Sequence, residues 1–140
     1  MPASYGSTQT ATITLASLAA GGIALSSAID NTSTLYDGLT IVLKAKLGSP
    51  LNAAPQLIVG ISGSNDNTNF SDSSEIEAII NNDGVGVNLT RKLFPSTSSQ
   101  HYVVLRNLPA YFKIFVRNRT GAALSSTGGD HSLTYRGFVI

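Results

Sequence analysis

The chain has 140 residues and a formal net charge of +1, with 42% hydrophobic and 12% charged side chains. This length predicts one domain with a real core, and this composition excludes a disordered chain. The near-neutral charge gives no indication of a nucleic-acid partner or a membrane-surface role, and the absence of cysteine excludes disulfides and thiolate chemistry.

The chain begins with a small, polar segment. Residues 1–9 contain Tyr5 as their only large side chain, which is typical of a flexible arm. They have neither the basic region nor the apolar run of a signal peptide, and no apolar stretch of the chain is long enough to span a bilayer. An arm of this kind can also dock on a neighbouring subunit.

Two strands are predicted in the next part of the chain. Residues 10–18 alternate between apolar and polar side chains, as a half-buried strand does. The apolar face of this strand holds Ala11, Ile13 and Leu15. A short helix over residues 16–20 is an alternative, which the paired glycines after it would end. Residues 23–29 predict a second strand, and residues 30–33 predict a turn.

The clearest alternation of the first half lies in two later segments. One apolar face is predicted for Leu39, Ile41, Leu43, Ala45 and Leu47, and another for Leu57, Val59 and Ile61. Gly60 and Gly63 predict a bulge or a close backbone approach in the second of these strands. The two prolines between the strands predict a loop over residues 48–55.

The middle of the chain alternates between turn signals and short strands. Exposed turns are predicted at residues 64–74 and 81–84, and a loop at residues 95–99. Residues 75–80 are compatible with a short strand or one helical turn. Strands are predicted for residues 85–89 and 102–105.

Residues 111–140 are the segment around which we expect the rest to be organised. Phe112, Ile114 and Val116 share one face of a predicted strand, with Lys113 and Arg117 on the other. A second strand is predicted with Leu133, Tyr135 and Val139 on one face. The polar connection over residues 118–130 predicts a hairpin with a long turn.

These elements predict an all-β fold. About eight short strands with turn signals between them, and no amphipathic helix, are typical of a single-domain antiparallel β-sandwich with a jelly-roll-like arrangement. We expect the arm to cover residues 1–9 and the sandwich to cover residues 10–140.

The two halves of the chain differ in charge. Residues 1–90 carry two bases and seven acids, a balance of −5, and residues 91–140 carry seven bases and one acid, a balance of +6. If the halves interleave in a sandwich, this difference does not create a two-sided dipole. If they do not, complementary patches would favour contacts between copies.

No catalytic residue, metal site or cofactor site is predicted. The Asn-rich segment around Asp66 lacks the glycine and the bidentate glutamate of a calcium loop, and such turns usually cap their own backbone. His101 and His131 lack a nucleophile motif, so Asp130 and His131 are expected to close a turn. Glu75 and Glu77 would share a strand face, but the chain has no Trp to form a sugar platform.

Three segments resemble one kind of protein. ITLASLAAGGIALSSAIDNTSTLYDG (residues 13–38) and NRTGAALSSTGGDHSLTY (residues 118–135) resemble the ends of small virion structural proteins of tailed bacteriophages, of the kind that decorate or cement the capsid. GSNDNTNFSD (residues 63–72) resembles the strand–turn segment between those ends.

The resemblance implies a capsid-associated β-sandwich without enzymatic activity, located on the phage capsid surface. It implies the major capsid protein as partner, and self-association in which a trimer is favoured. The arm and the loops over residues 31–38 and 118–130 are the expected contact segments. The candidate contact residues are Tyr5, Asp30, Asn31, Tyr36, Asp37, Arg117, Asn118, Arg119 and Asp130.

Two other functions remain open at this point. One is a tail- or fibre-associated domain that recognises a host surface glycan, which the absence of Trp disfavours. The other is a small hydrolase that uses His101 or His131.

Overall fold

The computed structural model of the protein describes residues 4–47, 56–71, 90–93 and 98–140. Within these ranges there are ten strands and one short 3₁₀ helix, η1 (Gly128–Asp130). The strands are β1 (Ser4–Tyr5), β2 (Gln9–Thr10), β3 (Ile23–Leu25), β4 (Ile29–Asp30), β5 (Gly38–Lys46), β6 (Gln56–Ser64), β7 (Thr90–Leu93), β8 (Ser98–Arg106), β9 (Tyr111–Arg119) and β10 (Ser132–Val139). None of the helical segments described has the length and apolar character needed to cross a membrane.

The strands form two antiparallel sheets, which confirms the predicted all-β sandwich. In the first sheet the order is β1-β10-β5-β8, with β2 also pairing with β10. In the second sheet the order is β3-β9-β6-β7, with β4 also pairing with β9. Strands from the acidic and basic halves of the sequence alternate in both sheets, so the halves interleave.

The core lies between the two sheets and follows the predicted alternation. Of the five apolar positions predicted for one face, four lie in β5 and Leu47 follows it, and all five are at most 4% exposed. The three positions predicted for β6 and the three for β9 are buried to the same extent. These residues are Leu39, Ile41, Leu43, Ala45, Leu47, Leu57, Val59, Ile61, Phe112, Ile114 and Val116. At Gly63 the predicted close approach is confirmed, because an added Cβ would lie 2.7 Å from the Pro109 ring.

The prediction that residues 111–140 form a hairpin is wrong. β9 pairs with β6 in the second sheet, whereas β10 pairs with β5 in the first. The connection over residues 120–131 therefore crosses from one sheet to the other, a gap of about 10 Å that a chain of this length spans easily. Alternation indicates which face of a strand is buried, but it does not determine which strand is its neighbour.

One end of β10 also differs from the prediction. Leu133 is buried as expected, but Val139 is 39% exposed and Phe138 on the opposite face is 4% exposed. The Phe138 ring occupies the space above Gly38, which has no side chain of its own. The Tyr5 ring covers it with the centroids 5.9 Å apart.

The first predicted strands are shorter than expected. β2 ends at Thr10, and the last bond to β10 runs from the Ala11 N–H to the Leu133 carbonyl, although the burial of Leu15 continues the alternation. The chain turns at Ser17, whose φ is +60°, and the alternative helix is not formed. The strand predicted over residues 23–29 is interrupted at Ser26, whose hydroxyl accepts the Ile114 N–H and so takes the place of a backbone group.

β8 is longer than expected. It begins at Ser98, inside the predicted loop over residues 95–99, and pairs with β5 along nine residues. The predictions for residues 48–55, 75–80, 81–84 and 85–89 lie outside the described residues.

Candidate interaction surface

The nine predicted contact residues fall into two groups at opposite ends of the sandwich. Tyr5, Asp30, Asn31, Tyr36 and Asp37 lie where β5 begins, which we call the arm end. Arg117, Asn118, Arg119 and Asp130 lie where β5 finishes, which we call the crossover end. β5 has nine residues, so the two groups are separated by roughly 30 Å.

Asn31 organises the loop at the arm end. Its side chain is 6% exposed. Its Nδ2 donates to the Tyr36 carbonyl at 3.0 Å, and its Oδ1 accepts the Tyr36 N–H and the Thr34 hydroxyl, each at 2.9 Å. The side chain therefore holds the loop in shape and has no hydrogen-bonding capacity left for a partner protein.

Tyr36 joins this loop to the arm. A Cβ added at either Gly6 or Gly137 would overlap the Tyr36 ring, so the ring packs directly on two backbone segments. The Gly6 N–H donates to the Gly137 carbonyl at 2.9 Å, and Arg136 Nε donates to the Gly6 carbonyl at 2.8 Å. These bonds fix this part of the arm to β10, while the Tyr5 side chain within the arm remains 51% exposed.

Asp37 connects the loop to the last residues of β10 and to Ile140. Its Oδ2 accepts the Ile140 N–H at 2.8 Å, and its own N–H donates to the Phe138 carbonyl at 2.9 Å. Its carbonyl accepts the Leu108 N–H at 3.2 Å. Three segments that are distant in sequence therefore meet at this residue.

Large exposed hydrophobic side chains are concentrated at the arm end. Leu35 is 69% exposed, Ile140 58%, Tyr5 51% and Val139 39%. Among the described residues, the other two side chains of this kind are Leu25 on β3 and Tyr102 on β8. Sequence reasoning missed Leu35, Val139 and Ile140. A leucine inside the polar turn NTSTLYDG was the available signal for Leu35.

The Leu35 backbone is strained. Its φ is +52°, a left-handed conformation that large side chains rarely adopt. The Leu35 N–H donates to the Asn31 carbonyl at 3.0 Å, so the same asparagine that orders the loop also fixes this conformation.

The polar groups of the crossover end are mostly engaged within the chain. Asn118 is fully buried, and its Nδ2 lies within 3.2 Å of the carbonyls of Leu18, Ala19 and Ala122. Its Oδ1 accepts the N–H and the hydroxyl of Thr120. Arg117 is half-buried and Arg119 is exposed. Contact with a partner protein stays a prediction for the loops at both ends. The buried side chains of Asn31 and Asn118 stabilise these loops through hydrogen bonds within the chain.

Asp130 and His131 close a turn, as predicted. The Ser125 hydroxyl donates to Asp130 Oδ2 at 2.6 Å, and this bond is the main reason that the pKa of Asp130 is below its ordinary value. His131 Nε2 lies 2.8 Å from the Ser125 carbonyl, and the Lys46 N–H donates to its Nδ1 at 3.3 Å. The histidine contacts the serine backbone and not its hydroxyl. The prediction that the chain is not an enzyme stays a prediction.

The Asn-rich turn after β6 caps itself. Asp66 Oδ1 accepts the N–H groups of Thr68 and Asn69 at 2.9 and 2.8 Å and the Ser64 hydroxyl at 2.9 Å, and Asp66 Oδ2 accepts Asn69 Nδ2 at 2.8 Å. These bonds, with the Asn69 N–H contributing most, hold the pKa of Asp66 far below its ordinary value. This is the capping expected for a turn rich in Asn and Asp.

A cavity of about 220 Å³ opens at the arm end, between the arm on one side and β4 with the loop that follows it on the other. It is lined by Ser7, Gln9, Ile29, Asp30, Asn31, Thr34, Tyr36, Leu39, Phe112, Tyr135 and Gly137. Buried core side chains thus form its floor, and polar side chains form its rim.

No family model and no curated protein matches the chain. Among solved structures, the chain is similar to Xyl-CBM35 in complex with a glucuronic acid containing disaccharide, at 13% identity and a TM-score of 0.45, over 87% of this chain and 68% of that chain. It is similar to tomato aspermy virus at 10% identity and a TM-score of 0.45, over 97% and 76% of the two chains. It is also similar to the semi-empty virus-like particle of the giant freshwater prawn Macrobrachium rosenbergii nodavirus, at 13% identity and a TM-score of 0.44, over 98% and 90%.

The solved structures that resemble this chain therefore include viruses and a carbohydrate-binding module. These similarities concern the all-β arrangement of strands.

Proposed function

We propose that the chain is a structural virion protein of a tailed bacteriophage, which binds the major capsid protein on the outside of the head and stabilises the shell. The arm end makes the contact. The observation that carries this proposal is Leu35, a large hydrophobic side chain that is 69% exposed and held at a φ of +52°.

Leu35 is costly for the isolated chain in two ways. A non-glycine residue in the left-handed region costs on the order of 1–3 kcal/mol, and such strain tends to be found at functional positions. Its side chain gains little from burial in the isolated chain, because most of its surface faces water. Burial against a partner would recover the apolar contribution that folding alone leaves unused.

The surroundings of Leu35 support a preformed contact. Asn31, Tyr36 and Asp37 fix the loop, the arm and the last residues of β10 to one another through buried or backbone hydrogen bonds. A surface that is already ordered loses little conformational entropy on binding. The charged side chains at this end, Asp30, Asp37 and Arg136, already bond to Thr32, Ile140 and Gly6, which lowers the cost of covering them.

Self-association into a trimer is part of the same proposal. The exposed side chains of Tyr5, Val139 and Ile140 add apolar surface at the same end of the sandwich as Leu35, which a neighbouring copy could cover. Neither nucleic acid nor a membrane is proposed as a partner. Light scattering on the purified chain would show whether the trimer forms before the head is bound.

The test measures attachment to empty heads of the phage that encodes the chain. Leu35→Asn removes the apolar side chain and places there a residue that tolerates a left-handed backbone. We expect attachment of this variant to fall at least tenfold and the heads to lose their added heat tolerance. The matched control is Leu25→Asn, at another leucine that is 50% exposed but lies on β3. Equal attachment of the two variants would contradict the proposal.

The cavity at the arm end supports a second candidate function. A tail- or fibre-associated domain that recognises a host surface glycan would need a small pocket with apolar and hydroxyl-bonding groups, and this cavity has both. Binding on a glycan array without attachment to heads would favour this candidate over the first.

A further inference from the structure

The floor of the arm-end cavity is built from side chains that the core already fixes. Leu39 and Phe112 are each 1% exposed, and Ile29 packs against the same core. The floor is therefore apolar and preformed, so a ligand does not have to order it. The arm forms the opposite side through Ser7 and Gln9.

The size of the cavity limits its occupant to one small ring. About 220 Å³ corresponds to roughly seven water molecules at about 30 Å³ each. Pockets for drug-sized ligands begin at about 300 Å³. An extended peptide or an oligosaccharide therefore cannot enter as a whole, whereas a single six-membered ring with its substituents can.

Several polar groups around the cavity have unused hydrogen-bonding capacity. Within the described part of the chain, the Tyr135 hydroxyl has no hydrogen-bond partner, and burial raises the pKa of this phenol. Asp30 uses Oδ1 for the N–H and hydroxyl of Thr32, which leaves Oδ2 available. Gln9 uses Nε2 for the Ser7 hydroxyl, which leaves its carbonyl oxygen available.

This combination of a donor and two acceptors suits a ligand that carries hydroxyl groups. A hydroxyl can both donate and accept, so it can pair with a phenol and with a carboxylate or amide oxygen. A ligand without hydroxyls would leave these groups unsatisfied as it displaced their water, which costs binding free energy.

The charge of the cavity excludes one class of sugar. None of its lining residues is a lysine or an arginine, and Asp30 is an ordinary ionised carboxylate at neutral pH, with its bonds to Thr32 lowering its pKa further. A carboxylate on the ligand would lie close to the Asp30 carboxylate with no cation between them, and this repulsion disfavours acidic sugars.

We propose that the arm-end cavity binds one neutral pyranose unit. The partly exposed side chains of Ile29 and Tyr36, supported from below by the buried Leu39 and Phe112, receive a face of the ring. Tyr135, Asp30 and Gln9 pair with its hydroxyls. The inference deepens the glycan-binding candidate above by naming the site and the class of sugar. Binding of a simple pyranoside is detectable even if no host glycan is recognised. The pyranose-site proposal and the glycan-recognition function can therefore fail separately.

The test is an NMR titration of the full ¹⁵N-labelled chain with the methyl pyranosides of glucose, galactose and mannose, and with methyl glucuronide as the acidic comparison. We expect at least one neutral pyranoside to shift the amide signals of Gln9, Thr34 and Gly137, and the glucuronide to shift them far less. Tyr135→Phe, which removes one hydroxyl, should weaken binding by about 2- to 10-fold.

Two further variants make the titration specific. Tyr102→Phe removes a hydroxyl from a tyrosine that is 66% exposed on β8, and it should bind as the unmodified chain does. Asp30→Asn should admit the glucuronide. The proposal is overturned if no neutral pyranoside shifts the cavity amides, or if Tyr135→Phe binds as tightly as Tyr102→Phe. Attachment to heads, measured on the same variants, reports on the shell-binding function independently.

Discussion

The side-chain amide of Asn31 pairs with the backbone of Tyr36 in both directions, donating to its carbonyl at 3.0 Å and accepting its N–H at 2.9 Å. The side-chain amide makes the pair of hydrogen bonds that a neighbouring strand's backbone would otherwise make. It replaces a backbone partner that the loop does not obtain from either sheet, and the position of the Tyr36 ring against Gly6 and Gly137 depends on the loop shape that results.

Asn31→Ala should therefore destabilise the whole chain. The Tyr36 backbone groups would lose their partners in a largely buried place, at a cost of about 2–3 kcal/mol. We expect the Tm to fall by roughly 5–10 °C in a thermal unfolding experiment. The control is Asn65→Ala, at an exposed position in the turn after β6, where little change is expected. Equal Tm values for the two variants would show that the paired amide is not needed.

Gly137→Ala should be destabilising for a steric reason. The added methyl group would overlap the Tyr36 ring, and the ring lies against Gly6 on another side. Overpacking of this kind costs typically about 1–3 kcal/mol. Gly128→Ala is the matched control, because an added Cβ there meets nothing within 4 Å. If denaturant unfolding gave both variants the same midpoint, the close packing of Tyr36 on β10 would be disproved.

Acid should weaken the turn after β6 through Asp66. The folded-state pKa of Asp66 is depressed below its ordinary value of 3.8, so its stabilising effect is present above that pH and is lost as the pH falls towards the folded-state pKa. Asp66→Asn should therefore be less stable than the unmodified chain at pH 7, and the difference should shrink below about pH 4. Urea unfolding at pH 7, 4 and 2.5 measures this.

The comparison variant for that experiment is Asn65→Ala, which changes no titrating group. Its stability relative to the unmodified chain should be the same at all three pH values. A difference between Asp66→Asn and the unmodified chain that stayed constant from pH 7 to 2.5 would contradict the assigned role of the carboxylate.

Leu35→Asn should stabilise the isolated chain while it weakens attachment to heads. Asparagine tolerates a left-handed backbone better than leucine does, so relief of the strain at a φ of +52° should raise the free energy of unfolding by up to about 1 kcal/mol. Thermal unfolding of the purified variant checks the gain. A loss of stability instead would mean that the Leu35 side chain supports the loop from within.

Alternation along the sequence predicted which side chains form the core but not how the strands are arranged. β5, β6 and β9 bury the predicted faces because each lies between two neighbours in a sheet and has one side against the other sheet. The pairing of β9 with β6 and of β10 with β5 depends on long-range geometry, and a polar connection between two strands is compatible with either a hairpin or a crossover.

The sequence located the segments that form the candidate site, but it did not predict which of their side chains are buried and which are exposed. The turn signals located the loops of both ends, because Asn, Asp and Gly have strong local preferences. Burial of Asn31 and Asn118 depends on carbonyl groups that other segments supply, such as those of Pro109 and Leu18. The exposure of Leu35 likewise depends on the loop shape that Asn31 imposes, which no local pattern contains.

The pairing of Ser4 with Val139 has a practical consequence for engineering. A tag joined ahead of β1 or behind Ile140 would be attached at the arm end and crowd the surface that we propose meets the shell. Residues 126–129, which are exposed at the crossover end, are the better insertion point for a displayed peptide. Cargo placed there would project away from the head, so a coat of this protein would present one copy per bound chain to the surrounding medium.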